Sequence, residues 1–463
     1  MENNYHNLIN QTFDFPQDGF EVVDDQLWFN GIDLMSIIKQ HGTPLKLTYL
    51  PKISEQIQKA KSYFKKAFAK HDYQANYFYC YCTKSSHFSF VLNEALKNDI
   101  NLETSSAFDI HLVRRLYESG QITKDTFIIH NGYKQQLYVD LVAELINDGF
   151  NSFLVVDNLK ELDGFRDKVK TPCNIGLRVA TDEDPKSNYY TSRLGIRHSV
   201  IKDYYVKHLK HEQQFQLKML HFFIDSGIED SPYYWNELQK CLTVYSDLKK
   251  ECATLDSLNI GGGFKIKHSL AEEYDYQFLA DEIVAQIKRH CTEQSVPVPN
   301  IFTEFGSYTV AESSASLYSI VDQKRQNDVE LWNMIDSSFI TTLPDSWATN
   351  QKFILLAINK WDSLVERVNL GGLTCDSQDY YNAEAHINDI FLPKFKENEP
   401  SYIGFFNTGA YQNALGGYGG LQHCLIPSPK QILITRNTEG EMVSEVFAEE
   451  QDHEGMLKIL GYS

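Results

Sequence analysis

The stretch FYCYCTKSSHF, residues 78–88, decides the fold. Its aromatic and cysteine residues read as a buried strand, and the run ends on Lys84, just before a serine pair that can start a helix. Similar short apolar runs recur outward from it: TPLKLTYL (43–50), NYFYCYC (76–82), TFIIHN (126–131), SFLVVD (152–157), NIGLRV (174–179), QLKMLHFFI (216–224), LNIGGGF (258–264) and NIFTEF (300–305). Longer segments with apolar residues at helical spacing lie between them, such as KISEQIQKAKSYFKKAFAKH (52–71). Strand then helix, repeated about eight times over roughly 260 residues, predicts a parallel (β/α)8 barrel across 43–307. By that count Lys84 closes the second strand, on the strand face of Cys80 and Cys82.

After Ser307 the rhythm changes. LYSIVDQ, WNMIDSSF, KFILLAINKW, VNLGGLTC, YIGFFNTGA and KQILITR are strand-like runs joined by polar loops. They predict a second, mostly β domain over 308–463, a Greek-key-like β-barrel against which residues 1–42 pack.

Composition narrows the class. Of 463 residues, 42% are apolar and 23% charged, which fits a globular protein, and the 13% aromatic content argues against disorder. A net charge of -19 disfavours nucleic acid or an anionic membrane as partner. The eight cysteines include no CxxC pair, so they suggest neither a disulfide framework nor a metal site, and fit a reducing compartment. No apolar stretch approaches membrane-spanning length, and the chain reads as cytoplasmic.

In such a barrel, reactive groups sit at the carboxyl ends of strands. A lysine desolvated there loses proton affinity and becomes a nucleophile for carbonyls; a lysine that simply reaches solvent is the plain alternative for Lys84. Gly261, Gly262 and Gly263 follow a strand directly, and their bare N–H groups can cradle a phosphate or merely form a tight turn. Glu304 ends the last barrel strand, where a buried carboxylate needs a cation: a pyridinium nitrogen or an internal partner. Cys375 and Asp376 stand side by side after a Gly-Gly turn, a thiol able to donate a proton and a carboxylate able to hold a cation. Lysine, phosphate cradle, carboxylate and cysteine together match the aldehyde, phosphate and ring nitrogen of pyridoxal phosphate.

At these residues the chain resembles the pyridoxal-phosphate amino-acid decarboxylases of the alanine racemase-like barrel fold, most of all the biosynthetic arginine branch. The resemblance covers nearly the whole chain, from DLMSIIKQHGTPL (33–45) onward. It implies that Lys84 of CTKSS carries the cofactor. It also implies that Glu103, Ser106 and Asp109 of LETSSAFDI (102–110) and Arg178 of GLRVATDEDP (176–185) lie beside it. Ser226 of HFFIDSG (221–227), the three glycines, Gly306 of EFG and Tyr411 of GFFNTGAYQ (404–412) fall on its phosphate-binding positions. The resemblance further implies that Cys375 protonates the α-carbon in the partner subunit's site. Asp376, with Asp336 or Asp345 of LPDSW (343–347), would then contact the distal end of the substrate. Three positions depart from the family pattern. Phe223 replaces the histidine that stacks on the ring, Asp225 a glycine, and Ser307 a phosphate-binding arginine.

The resemblance therefore implies a homodimeric enzyme that decarboxylates a basic amino acid. L-arginine to agmatine, in polyamine biosynthesis, is the leading expectation. Citrulline, ornithine, lysine and diaminopimelate are alternatives, with citrulline first because it shares arginine's shape without its charge. A catalytically inactive regulator is disfavoured because Lys84 and Cys375 are both present, and a racemase because of the C-terminal CDS (375–377) and LPDSW (343–347) segments.

Overall fold

Eight short strands, mostly buried on both faces, close into a parallel barrel in the computed structural model, which describes residues 4–181, 192–381 and 389–462. They are β1 Tyr77–Cys82, β2 Asn101–Thr104, β3 Ile128–His130, β4 Ser152–Val156, β5 Cys173–Ala180, β6 Phe215–Phe222, β7 Ser257–Asn259 and β8 Asn300–Phe305. Each pairs with its neighbour in sequence, and β8 pairs with β1 to close the ring. Parallel neighbours need crossovers, and helices such as Ala107–Glu118, Gln136–Asn147, Pro232–Lys249 and Tyr276–Glu293 supply them.

Side chains on a strand alternate between faces. Cys80, Ile129, Phe153, Val155, Met219 and Phe302 form one buried apolar cluster, each on a different strand except for the β4 pair. Two residues further along β3, β6 and β8 stand Asn131, His221 and Glu304. An apolar layer thus gives way to a polar one at the carboxyl end of the strands.

The strands differ from the sequence expectation at two places that compensate in number. Leu45–Tyr49, expected to open the barrel, instead runs antiparallel to Ser314–Leu317 and parallel to Lys430–Ile434. Its fully buried pattern fits the interior of either sheet, so alternation alone could not assign it. Conversely, Asn101–Thr104 is a barrel strand, although its sequence NLET is short and polar. Leu102, Glu103 and Thr104 are all fully buried, and the polar side chains find partners inside. Lys84 therefore follows the first barrel strand. It sits in a one-turn 3-10 helix, Thr83–Ser85, past the point where strand-face alternation applies.

The chain divides into two units. One comprises Ser54–Lys265 and Tyr274–Thr309; the other comprises Met1–Ile53, Ile266–Glu273 and Val310–Ser463. The second unit is mostly β, with a ten-stranded sheet and a three-stranded meander at Phe20–Val23, Gln26–Phe29 and Ile32–Asp33. Its core takes in the N-terminal helix Tyr5–Phe13: Tyr5 meets the buried Trp361 edge-on, with ring centroids 5.0 Å apart. Among the described residues, no helix is long and apolar enough to cross a membrane.

Candidate active site

Glu304 is the centre of the polar layer. It is 5% exposed and carries no water-facing escape, so its oxygens must be met by donors. Asn131 Nδ2 lies 3.0 Å from both carboxylate oxygens, Asn259 Nδ2 2.7 Å from Oε1, and His221 Nε2 3.2 Å from Oε2. Burial alone would raise its pKa, but His221 and then Lys84 and Asn131 reverse that, and the carboxyl is lowered to about 2. It is an ionised carboxylate in a buried place.

Glu103, fully buried, shares one of these donors, with Asn131 Nδ2 3.0 Å from its Oε1, and adds a second, Lys84 Nζ, 2.8 Å from its Oε2. One amide thus spans two carboxylates, while its own oxygen is buried without a hydrogen-bond partner. The Lys84 side chain is 41% exposed against 0% for Glu103, so the amine reaches open space while tethered from within. The expected loss of proton affinity is not what this arrangement produces. Burial lowers the pKa of Lys84, but Cys82, Glu103 and Glu304 more than offset it, and the net direction is up. Two carboxylates beside one ammonium hold its proton.

Arg178 lies on β5 with its guanidinium 5.8 Å from the Phe223 ring centroid, so the aromatic that stands in the histidine's place carries a cation on its face. Ser106 caps the helix Ala107–Glu118. Asp109 accepts from the Ser105 and Ser106 N–H groups and pairs with His87 at 2.9 Å. Residues 182–185 of the segment around Arg178 lie outside the described residues.

The glycine run is needed first for packing. A Cβ on Gly262 would stand 1.9 Å from the Glu304 carbonyl oxygen, and Gly261 and Gly263 take φ of +68° and +102°. Gly263 also abuts Gly227, with Ile228 N donating to Gly263 O at 2.8 Å, so the loops after β6 and β7 are locked together. Not all three N–H groups are bare, as the glycine run had suggested: Gly261 N donates to Asn259 Oδ1 at 2.9 Å. In the same locked loop, Ser226 Oγ is buried with no hydrogen-bond partner. Gly306 allows Cys82 and Ser85 to approach, a Cβ there lying 3.2 and 3.1 Å from theirs.

In the β unit, Cys375 and Asp376 occupy a loop anchored by buried Asp379. That carboxylate accepts from Phe339 N at 2.8 Å and from Thr374 Oγ1 at 2.7 Å, and its own N–H reaches Asp376 O. Cys375 is exposed, and its pKa is raised by the Cys424 thiol at 3.6 Å. Asp336 accepts from Thr43 and Ser319, with burial raising its carboxyl pKa, and Asp345 accepts from Gln412 at 2.6 Å. Tyr411 precedes the short helix Gln412–Leu415 at φ 64°.

Sequence reasoning had not singled out Asn131, His221, Asn259 or Asp379. Asn131 ends the run TFIIHN, Asn259 ends β7 within LNIGGGF, and His221 stands one residue before the end of β6, so a polar residue at the end of an apolar strand was the available signal.

The sequence profile of the pyridoxal-dependent decarboxylases' pyridoxal-binding domain matches residues 54–311, more than half the chain. The chain belongs to the pyridoxal-dependent decarboxylases. It is 22% identical over 542 residues to the biosynthetic arginine decarboxylase of Bacteroides thetaiotaomicron, covering 92% of this chain and 84% of that one. The biosynthetic arginine decarboxylase of Nostoc is 21% identical, with 92% and 80% covered. Among solved structures, the biosynthetic arginine decarboxylase of Campylobacter jejuni superposes with a TM-score of 0.81 at 20% identity, over 98% of this chain and 90% of that one. The diaminopimelate decarboxylase of M. jannaschii gives 0.78 at 18%, over 95% and 97%.

Pyridoxal phosphate is the cofactor of this family, and the site fits it. The unpartnered Ser226 hydroxyl lies in the glycine-locked loop, suited to a phosphate. Ionised Glu304 suits a protonated ring nitrogen, and the half-exposed Lys84 amine suits the aldehyde.

Glu304→Gln keeps the shape and removes the charge. Turnover should fall on the order of a hundredfold or more, with KM within a few-fold, in steady-state kinetics. Its pH signature has a definite sign. The folded carboxyl lies below its ordinary 4.5, so its contribution to stability is present above that value and fades as pH falls toward about 2. Acid unfolding of the variant should lose this part of the slope.

Proposed function

We propose that the protein decarboxylates a basic amino acid, L-arginine to agmatine, as a cytoplasmic homodimer. The observation that carries the reading is the ionised Glu304 carboxylate, held by three strand ends and facing the same layer as Lys84. The arginine assignment is supported by relatives named biosynthetic arginine decarboxylase that align over most of both chains.

When bound, pyridoxal phosphate supplies a ring that accepts the electron pair released as carbon dioxide leaves. Glu304 holds a proton at the ring nitrogen, and the Asn131, Asn259 and His221 donors keep that carboxylate ionised and in place. Lys84 presents its amine to the aldehyde, and Glu103 holds that amine by accepting a hydrogen bond from it. Ser226 donates to the phosphate. Phe223, backed by Arg178, covers one face of the ring.

Cys375 donates a proton to the substrate's α-carbon, and Asp376 receives the guanidinium, whose planar donors match a carboxylate. Both act in the partner subunit's site. Exposed apolar side chains support an interface: Leu373 and Leu425 beside the cysteines, and Phe108, Tyr133 and Leu137 after β2 and β3.

Mixing Lys84→Ala protein with Cys375→Ala protein should restore part of the activity, because hybrid dimers contain one intact site. Exchange of subunits without any recovery would refute the shared site.

Arginine should be preferred to citrulline by at least about tenfold in kcat/KM, since Asp376, enclosed with the substrate by the partner subunit, would be left unpaired by a neutral urea at a cost of roughly 2–5 kcal/mol. Asp376→Asn should lower arginine turnover and spare or improve citrulline. A native preference for citrulline would overturn arginine and leave the decarboxylase reading standing.

A further inference from the structure

Of the eight cysteines, six are buried and two are exposed, and the two exposed ones are neighbours. Cys375 Sγ and Cys424 Sγ are 3.6 Å apart, although 49 residues separate them in sequence. His423 Nε2 lies 3.5 Å from Cys424 Sγ and 3.5 Å from Asp376 Oδ2, so carboxylate, imidazole and two thiols form one chain of contacts. Cys424 is held at φ 54° and Leu425 at φ 53°, a left-handed conformation uncommon for such residues, which turns the second thiol toward the first. Asp379 fixes the opposite loop through Thr374 and Asp376. A disulfide needs the sulfurs about 2.05 Å apart, so closing this 3.6 Å contact takes a movement of about 1.5 Å.

We propose that Cys375 and Cys424 form a reversible oxidation site for peroxides, which close them into an intramolecular disulfide. The Cys424 thiol gives its proton to His423, and the thiolate sulfur attacks one oxygen of hydrogen peroxide. The O–O bond breaks, a sulfenic acid forms on Cys424, and the departing oxygen leaves as water after protonation. Cys375 then attacks that sulfur, its S–H bond breaks, and hydroxide leaves with the proton as a second water. Two thiols are oxidised to one disulfide, and one peroxide is reduced to two waters. A thiol reductant reverses the bond by exchange. The consequence for activity rests on the proton-donor role proposed for Cys375: with its S–H consumed, decarboxylation stops until the disulfide is reduced. The bond itself does not depend on that role. Cys375 also protects Cys424, because a lone sulfenic acid continues to the irreversible sulfinic acid, whereas a resolving thiol captures it.

The test treats the dimeric holoenzyme with hydrogen peroxide, blocks remaining thiols under denaturing conditions, and maps peptides by mass spectrometry. The expected result is a peptide pair joined through Cys375 and Cys424 within one chain, loss of two titratable thiols, and at least tenfold lower turnover that dithiothreitol restores. In Cys375→Ser, and equally in Cys375→Ala, peroxide should carry Cys424 on to the sulfinic acid, which dithiothreitol does not reverse, whereas in Cys424→Ser peroxide should leave turnover unchanged. The proposal is overturned if no such link forms, if the link joins two subunits, or if peroxide lowers the turnover of Cys424→Ser as it does that of the native enzyme. A link that forms without loss of turnover supports the oxidation site and refutes the proton-donor role of Cys375.

Discussion

A carboxylate buried at the end of a barrel strand must be surrounded by donors, and Glu304 imposes that condition on the strands around it. Its four contacts come from Asn131 after β3, Asn259 on β7 and His221 on β6. Those residues arrive at one level because parallel strands in a closed barrel put their carboxyl ends at the same end. Apolar side chains two residues earlier, Ile129, Met219 and Phe302, fill the layer beneath and keep water from that side. Asn131 extends the arrangement to Glu103, and Glu103 in turn holds Lys84. The lysine's position is thus tied, through Asn131 and Glu103, to the same buried charge that is proposed to meet the ring nitrogen.

The sequence made part of this legible. Lys84 and Glu304 stood out because a charged residue closing an aromatic or β-branched run has to be explained. The polar strand Asn101–Thr104 did not stand out, because the partners of its buried Glu103 and Thr104 come from other segments: Lys84 after β1, Asn131 just past β3, and His130 on β3. Leu45–Tyr49 was read into the wrong sheet, since a continuously apolar strand carries no mark of which sheet buries it. The proton affinity of Lys84 was legible in its cause but not its sign. Burial was foreseeable, whereas the two carboxylates that outweigh it come from β2 and β8, 19 residues or more away in sequence. Asn131, Asn259 and His221 each look ordinary alone, and only their convergence gives them a role.

The glycine run illustrates a residue type serving two ends. Gly262 is required because the backbone of β8 passes where a Cβ would be, and Gly261 and Gly263 because their φ angles are left-handed. The same close approach locks the loop in which the Ser226 hydroxyl is buried without a partner. Packing and the proposed phosphate site are therefore one constraint. In the β unit the parallel case is Asp379, whose carboxylate organises the loop that presents Cys375 and Asp376.

The central claim is that Lys84 is the amine which binds the cofactor's aldehyde in this polar layer. Borohydride reduction of the purified holoenzyme, followed by digestion and peptide mapping, tests it most directly. The account predicts a single modified peptide containing Lys84, and bleaching of the visible absorbance in proportion to its yield. Attachment of the cofactor at any other lysine would contradict it.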